Sequence, residues 1–66
     1  MRIDRVKLAA ELARREWRSK KLSELSGVSR VTMSAIRGGK SIALETAQKI
    51  ATALNMQVAQ IIEKED

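Results

Sequence analysis

Ser29, Arg30, Val31, Ser34 and Ala35 lie close together in the chain and combine one forked donor, two hydroxyls and two small apolar groups. That set suits the reading of nucleobase edges. A guanidinium can bond guanine O6 and N7 together, and small apolar side chains can meet a thymine methyl. Val31 and Ala35 are apolar where an exposed helix is usually polar, which fits such a contact but also fits simple tolerance of a small residue. Arg30 could equally be a solvated arginine or a phosphate clamp. Ser29 is also placed to cap a helix, and Thr32 and Ser34 can bond phosphates or bases. Around this cluster, Arg18, Ser19, Lys20, Lys21 and Lys40 supply charge and hydroxyl groups of the kind that hold a phosphate backbone without reading sequence.

Positioning these residues requires two short helices and a tight turn. The spacing predicts a helix over Ser19–Ser26, with Leu22 and Leu25 inward, and a glycine turn at Gly27. A second helix is capped by Ser29, runs to Arg37 and carries Met33 and Ile36 inward. Gly27 suits the left-handed angle after a helix end. Small Ser23, four residues before it, lets the two helices cross closely. Gly38-Gly39 stops the second helix, and Gly38, Gly39, Lys40 and Ser41 read as a flexible loop. Arg37 is placed to bond the C-terminus of its own helix.

Three further helices are expected. The first runs from about Ile3 to Arg15 or Trp17. Its apolar stripe is Val6, Ala9, Ala10, Ala13 and Trp17, widened by Leu8 and Leu12. Trp17 is expected to cap the core. A base-stacking role is disfavoured, because single-strand binders offer several aromatic platforms. A fourth helix covers about Ala43 to Leu54, with Leu44, Ala47, Ile50, Ala51 and Leu54 inward and Asn55 as a left-handed stop. A fifth covers about Gln57 to Lys64, burying Val58, Ile61 and Ile62. The acidic tail over residues 63–66 is expected to fray. The fold class is therefore all-α: one compact five-helix domain over residues 1–66.

Composition narrows the function. Thirteen Lys and Arg face eight Asp and Glu, a formal charge of +5. Residues 1–62 hold 12 of the bases and 5 of the acids, so that part of the chain is at +7. Such a charge favours polyanions, although surplus surface lysine would give the same count. With no histidine and no cysteine, neither a nucleophile–base pair nor a nitrogen or sulfur metal site is expected. No cofactor is expected either. Gly39-Lys40-Ser41 resembles the end of a phosphate-binding P-loop, but Ser34 stands where that motif needs its first glycine. No apolar run reaches the roughly 18 residues of a membrane span. Arg2, Asp4, Arg5 and Lys7 interrupt any signal peptide, so a cytoplasmic protein is expected.

The chain resembles the lambda-repressor-like (Cro/C1, or Xre-type) helix-turn-helix family over nearly its whole length. The likeness is carried by Leu22, Ser23, the Gly27-Val28-Ser29 turn, Met33, Ile36 and the exit Arg37-Gly38-Gly39-Lys40. It continues through Leu44-Glu45-Thr46-Ala47, Lys49-Ile50-Ala51 and Ala53-Leu54-Asn55-Met56. It is greatest to the short single-domain regulators of bacterial phages and mobile elements. The resemblance implies five helices, the second and third forming the DNA-reading pair. It implies base contacts from Ser29, Arg30, Val31, Ser34 and Ala35. Ser19 stands where relatives often carry a phosphate-bonding glutamine, and Lys40 matches a backbone-contacting position.

The expected function is a sequence-specific double-stranded DNA-binding regulator, a repressor that occludes promoters as a homodimer. Met56 and Ile62 are the expected dimer contacts, Val58 and Ile61 being assigned to the core. The alternatives are an antitoxin or mobile-element regulator acting mainly through a protein partner, and a helical interaction module that binds no DNA. A membrane-surface role is disfavoured by the turn glycines.

Overall fold

The computed structural model describes residues 1–63. It has four α-helices, α1 (Arg5–Arg15), α2 (Ser19–Ser26), α3 (Arg30–Arg37) and α4 (Leu44–Ala53), followed by a 3-10 turn at Val58–Gln60. The core is Ile3, Leu8, Leu22, Val28, Met33, Ile36, Ala47, Ile50, Ala51, Leu54 and Ile61. α2 is central and packs on both α3 and α4. Among the described residues no helix is long and apolar enough to cross a membrane.

The helix ends explain the short connections. α1 begins at Arg5 rather than Ile3, because the Asp4 carboxylate accepts from the N–H groups of Val6 and Lys7 at 3.0 and 3.1 Å. It ends at Glu16, whose φ is +57°. There the Trp17 N–H donates to the Leu12 carbonyl and the Glu16 N–H to that of Ala13. This closure turns the chain back and sets Trp17 beside Leu12. α4 ends in the same way, with Asn55 at φ +56° and the Met56 N–H on the Ala51 carbonyl. α3 does so through Gly39 at φ +82°, with the Lys40 N–H on the Ala35 carbonyl. The Gly38–Ser41 segment, expected to be a flexible loop, is thus tied by backbone bonds. It is tied further by the Ser41 hydroxyl, which donates to the Met1 carbonyl at 3.1 Å.

Three expected core assignments are corrected. The buried side of α1 is Leu8, with Leu12 half-buried, whereas Val6 is 80% exposed and Ala9, Ala10 and Ala13 are also exposed. Two leucines remove far more apolar surface from water than a row of alanine methyls, so they set the rotation of the helix. Leu25 and Leu44, expected inward, are about half exposed at 50% and 51%. The helix expected over Gln57–Lys64 is only the single 3-10 turn. Ile61 and Ile62 leave it because Ile62 pairs antiparallel with Ile3. Asp4 donates its N–H to the Ile61 carbonyl at 2.7 Å, and Glu63 donates its N–H to the Arg2 carbonyl at 2.8 Å. Glu63 is therefore tied down rather than frayed, and the rest of the expected acidic tail lies outside the described residues.

Arg14 and Arg15 both pair with Glu11, at 2.9 and 2.6 Å. Arg15 also donates to the Leu54 carbonyl at 2.7 Å, joining α1 to the C-terminal end of α4. The Arg15 hydrogen bond, aided by Arg14, holds the Glu11 carboxyl below its ordinary pKa. A lowered carboxyl pKa stabilises the fold above the unfolded-state value. That stabilisation is lost as pH falls through the folded-state value.

Candidate nucleic-acid interface

Met33 and Ile36, three residues apart, are fully buried and pin one side of α3 to the core. Val28 anchors the chain just before the helix. The Ser29 hydroxyl accepts from the Thr32 N–H at 3.1 Å and donates to the Thr32 hydroxyl at 3.0 Å, so it caps α3. The Ser23 hydroxyl donates to the Val28 carbonyl and braces the turn. Gly27, at φ +75°, makes that turn.

With one side pinned, the opposite side of α3 faces outward. Ser29, Arg30 and Ser34 are exposed, and Val31 is 81% exposed. Ala35 and Thr32 are half-buried, so they lie at the margins of the outward face. Lys40, held at the α3 exit by its bonded N–H, is exposed, as are Arg18, Lys20 and Lys21 around the start of α2. Ser19 is half-buried at the first position of α2. Among the described residues, every ion pair is on α1, so no carboxylate bonds directly to a cation of α2 or α3. Met56 and Ile62 are half-buried at the edge of the core.

The outward side of α3, short and weakly polar beside a basic surround, has the shape and charge that a DNA major groove accepts. Comparison with protein families matches residues 7–66 to the Cro/C1-type HTH DNA-binding domain. The chain belongs to the Cro/C1-type helix-turn-helix family. α2, the turn at Gly27 and α3 have the form of a helix-turn-helix, and this protein is a DNA-binding regulator. No significant match is found among curated proteins or among solved structures.

Two contacts of this Cro/C1-type domain were not legible in its sequence. Arg37 does not bond the end of its own helix as expected. Its guanidinium donates to the Ser19 hydroxyl at 3.2 Å, across 18 residues. The carbonyl at the α3 end is taken instead by Arg5, whose Nη1 donates to the Arg37 carbonyl at 3.4 Å, where a cation is favoured. A groove of about 550 Å³ runs between α1, the start of α2 and α3. It is lined by Ala9, Leu12, Trp17, Arg18, Ser19, Lys20, Arg30 and Arg37. A smaller cleft of about 100 Å³, lined by Ser19, Arg30, Met33, Ser34 and Arg37, continues it onto α3. No local sequence signal announces either feature, because each joins residues far apart in the chain.

Proposed function

We propose that this protein is a sequence-specific repressor that binds double-stranded DNA as a homodimer and blocks transcription by occupying the promoter. The observation that carries this reading is the free outward edge of α3, with Arg30, Val31 and Ser34 projecting from a helix pinned on its other side. Arg30 reads a guanine. Val31 and Ala35 meet thymine methyls, and Ser29 and Ser34 bond a base or the backbone beside it. Arg18, Ser19, Lys20, Lys21, Thr32 and Lys40 hold phosphates and set the register. Each chain supplies one binding domain, and Met56 and Ile62 join two copies. Two α3 helices then enter successive major grooves about 34 Å apart. The protein works by occupancy in the cytoplasm, where bacterial DNA lies, with no cofactor.

Salt dependence tests this reading. Four cations in the proposed phosphate set, Arg18, Lys20, Lys21 and Lys40, become about eight in a dimer. Counterion release then gives a log–log slope of binding against salt near −7 for a dimer and roughly −4 for a monomer. Anisotropy of a labelled duplex across a salt series reads the slope. No binding to any duplex even at low salt would refute the proposal and favour a helical interaction module.

A further inference from the structure

The groove between α1 and the helix-turn-helix brings apolar and cationic side chains together. Trp17 and Leu12 form an apolar wall, brought together by the left-handed closure of α1. The Arg15 guanidinium lies over the Trp17 ring, 5.6 Å from its centroid, which fixes the plane of the indole. Among the described residues the indole N–H has no hydrogen-bond partner and is not sealed from solvent. The same groove is lined by Arg37, bonded to the Ser19 hydroxyl, and by Arg18. Among the described residues no carboxylate lines the groove, and Arg30 belongs both to it and to the α3 edge.

We propose that this groove seats one sugar–phosphate strand of the DNA whose bases α3 reads. The Arg37–Ser19 pair bonds a phosphate, and Trp17 packs its ring edge on the neighbouring deoxyribose while its N–H reaches a phosphate oxygen. A groove lined by both apolar and cationic side chains matches such a strand, which alternates an apolar sugar face with a charged phosphate. Continuity with α3 through Arg30 puts that strand on the DNA being read. Trp17 is thus a positioning residue for DNA as well as a lid on the core. The inference rests on the DNA-binding reading and goes beyond it in assigning Trp17 and Arg37.

Trp17 is the one tryptophan of the chain, so its emission reports the groove directly. Titrating the full chain with duplex is expected to change that emission in step with the anisotropy of the labelled DNA. Trp17→Phe, with its fold verified by circular dichroism, is expected to bind about five- to tenfold more weakly on preferred and random duplexes alike, as a backbone contact should. Arg37→Gln, which leaves the tryptophan in place, is expected to lower the magnitude of the salt slope by about one per bound chain. If duplex binds but Trp17 emission stays constant and Arg37→Gln keeps the parent slope, the groove is empty in the complex. The inference then fails while DNA binding stands. If no duplex binds at all, both fall together.

Discussion

Arg30→Ala is expected to cost about 1–3 kcal/mol on the preferred DNA site, roughly 5- to 150-fold, with the loss concentrated at one base pair. Arg30 is exposed, makes no bond to the rest of the described protein and sits in the first turn of α3. Its removal should therefore leave the fold intact, and the loss should come from one unread base. Lys40→Ala is expected to behave differently. It should weaken preferred and random duplexes by the same factor and reduce the salt slope by about one per chain. Competition against a set of duplexes, each altered at one base pair, separates the two effects. Equal losses on all sequences for both variants would remove base readout from Arg30.

Ile50→Ala is expected to be the most damaging single change to the fold. Ile50 is wholly buried on α4 within the core shared with α2 and α3. Truncating a buried isoleucine costs about 2–5 kcal/mol. At roughly 0.05–0.15 kcal/mol per residue, a chain of this size holds only about 3–10 kcal/mol in total. Urea denaturation should show the midpoint falling by roughly a fifth at the least, and by half or more across most of that range. Added DNA should restore part of the loss, about 2.7 kcal/mol when ligand stands at 100 times its Kd. Val6→Ala, on the exposed side of α1, should stay within about 0.5 kcal/mol of the parent. A large loss for Val6→Ala would mean that the alanine side of α1, not its leucine side, is buried.

The helix-turn-helix was readable because its determinants are local. Ser29 lies three residues before the N–H it caps, Gly27 follows α2 directly, and Met33 and Ile36 sit three apart on one helix. α2 accordingly ends, and α3 begins, where these residues place them, whereas Ser19, a candidate cap for α2, is instead its first residue after Arg18. α1 was misread because alanines fill its sequence pattern without deciding its packing. The two leucines, together with the Glu11–Arg15 pair and its bond to the Leu54 carbonyl, rotate the helix the other way. Glu16 gave no warning of its left-handed angle, since a non-glycine residue rarely takes one. The expected fifth helix failed for a long-range reason. Ile3 pairs with Ile62 across almost the whole chain, and local periodicity carries no trace of that partner. The same holds for the Arg37–Ser19 bond, so the groove beside Trp17 became visible only in three dimensions.

The outward edge of α3 is tested most directly by mapping backbone amide and indole shifts in nuclear magnetic resonance while titrating a duplex selected from a random pool. The largest changes are expected at residues 29–35, with further changes at Lys40, at the start of α2 and at the Trp17 indole. If the shifts gather instead on the exposed side of α1 or on α4, while residues 29–35 stay where they were, α3 does not read DNA.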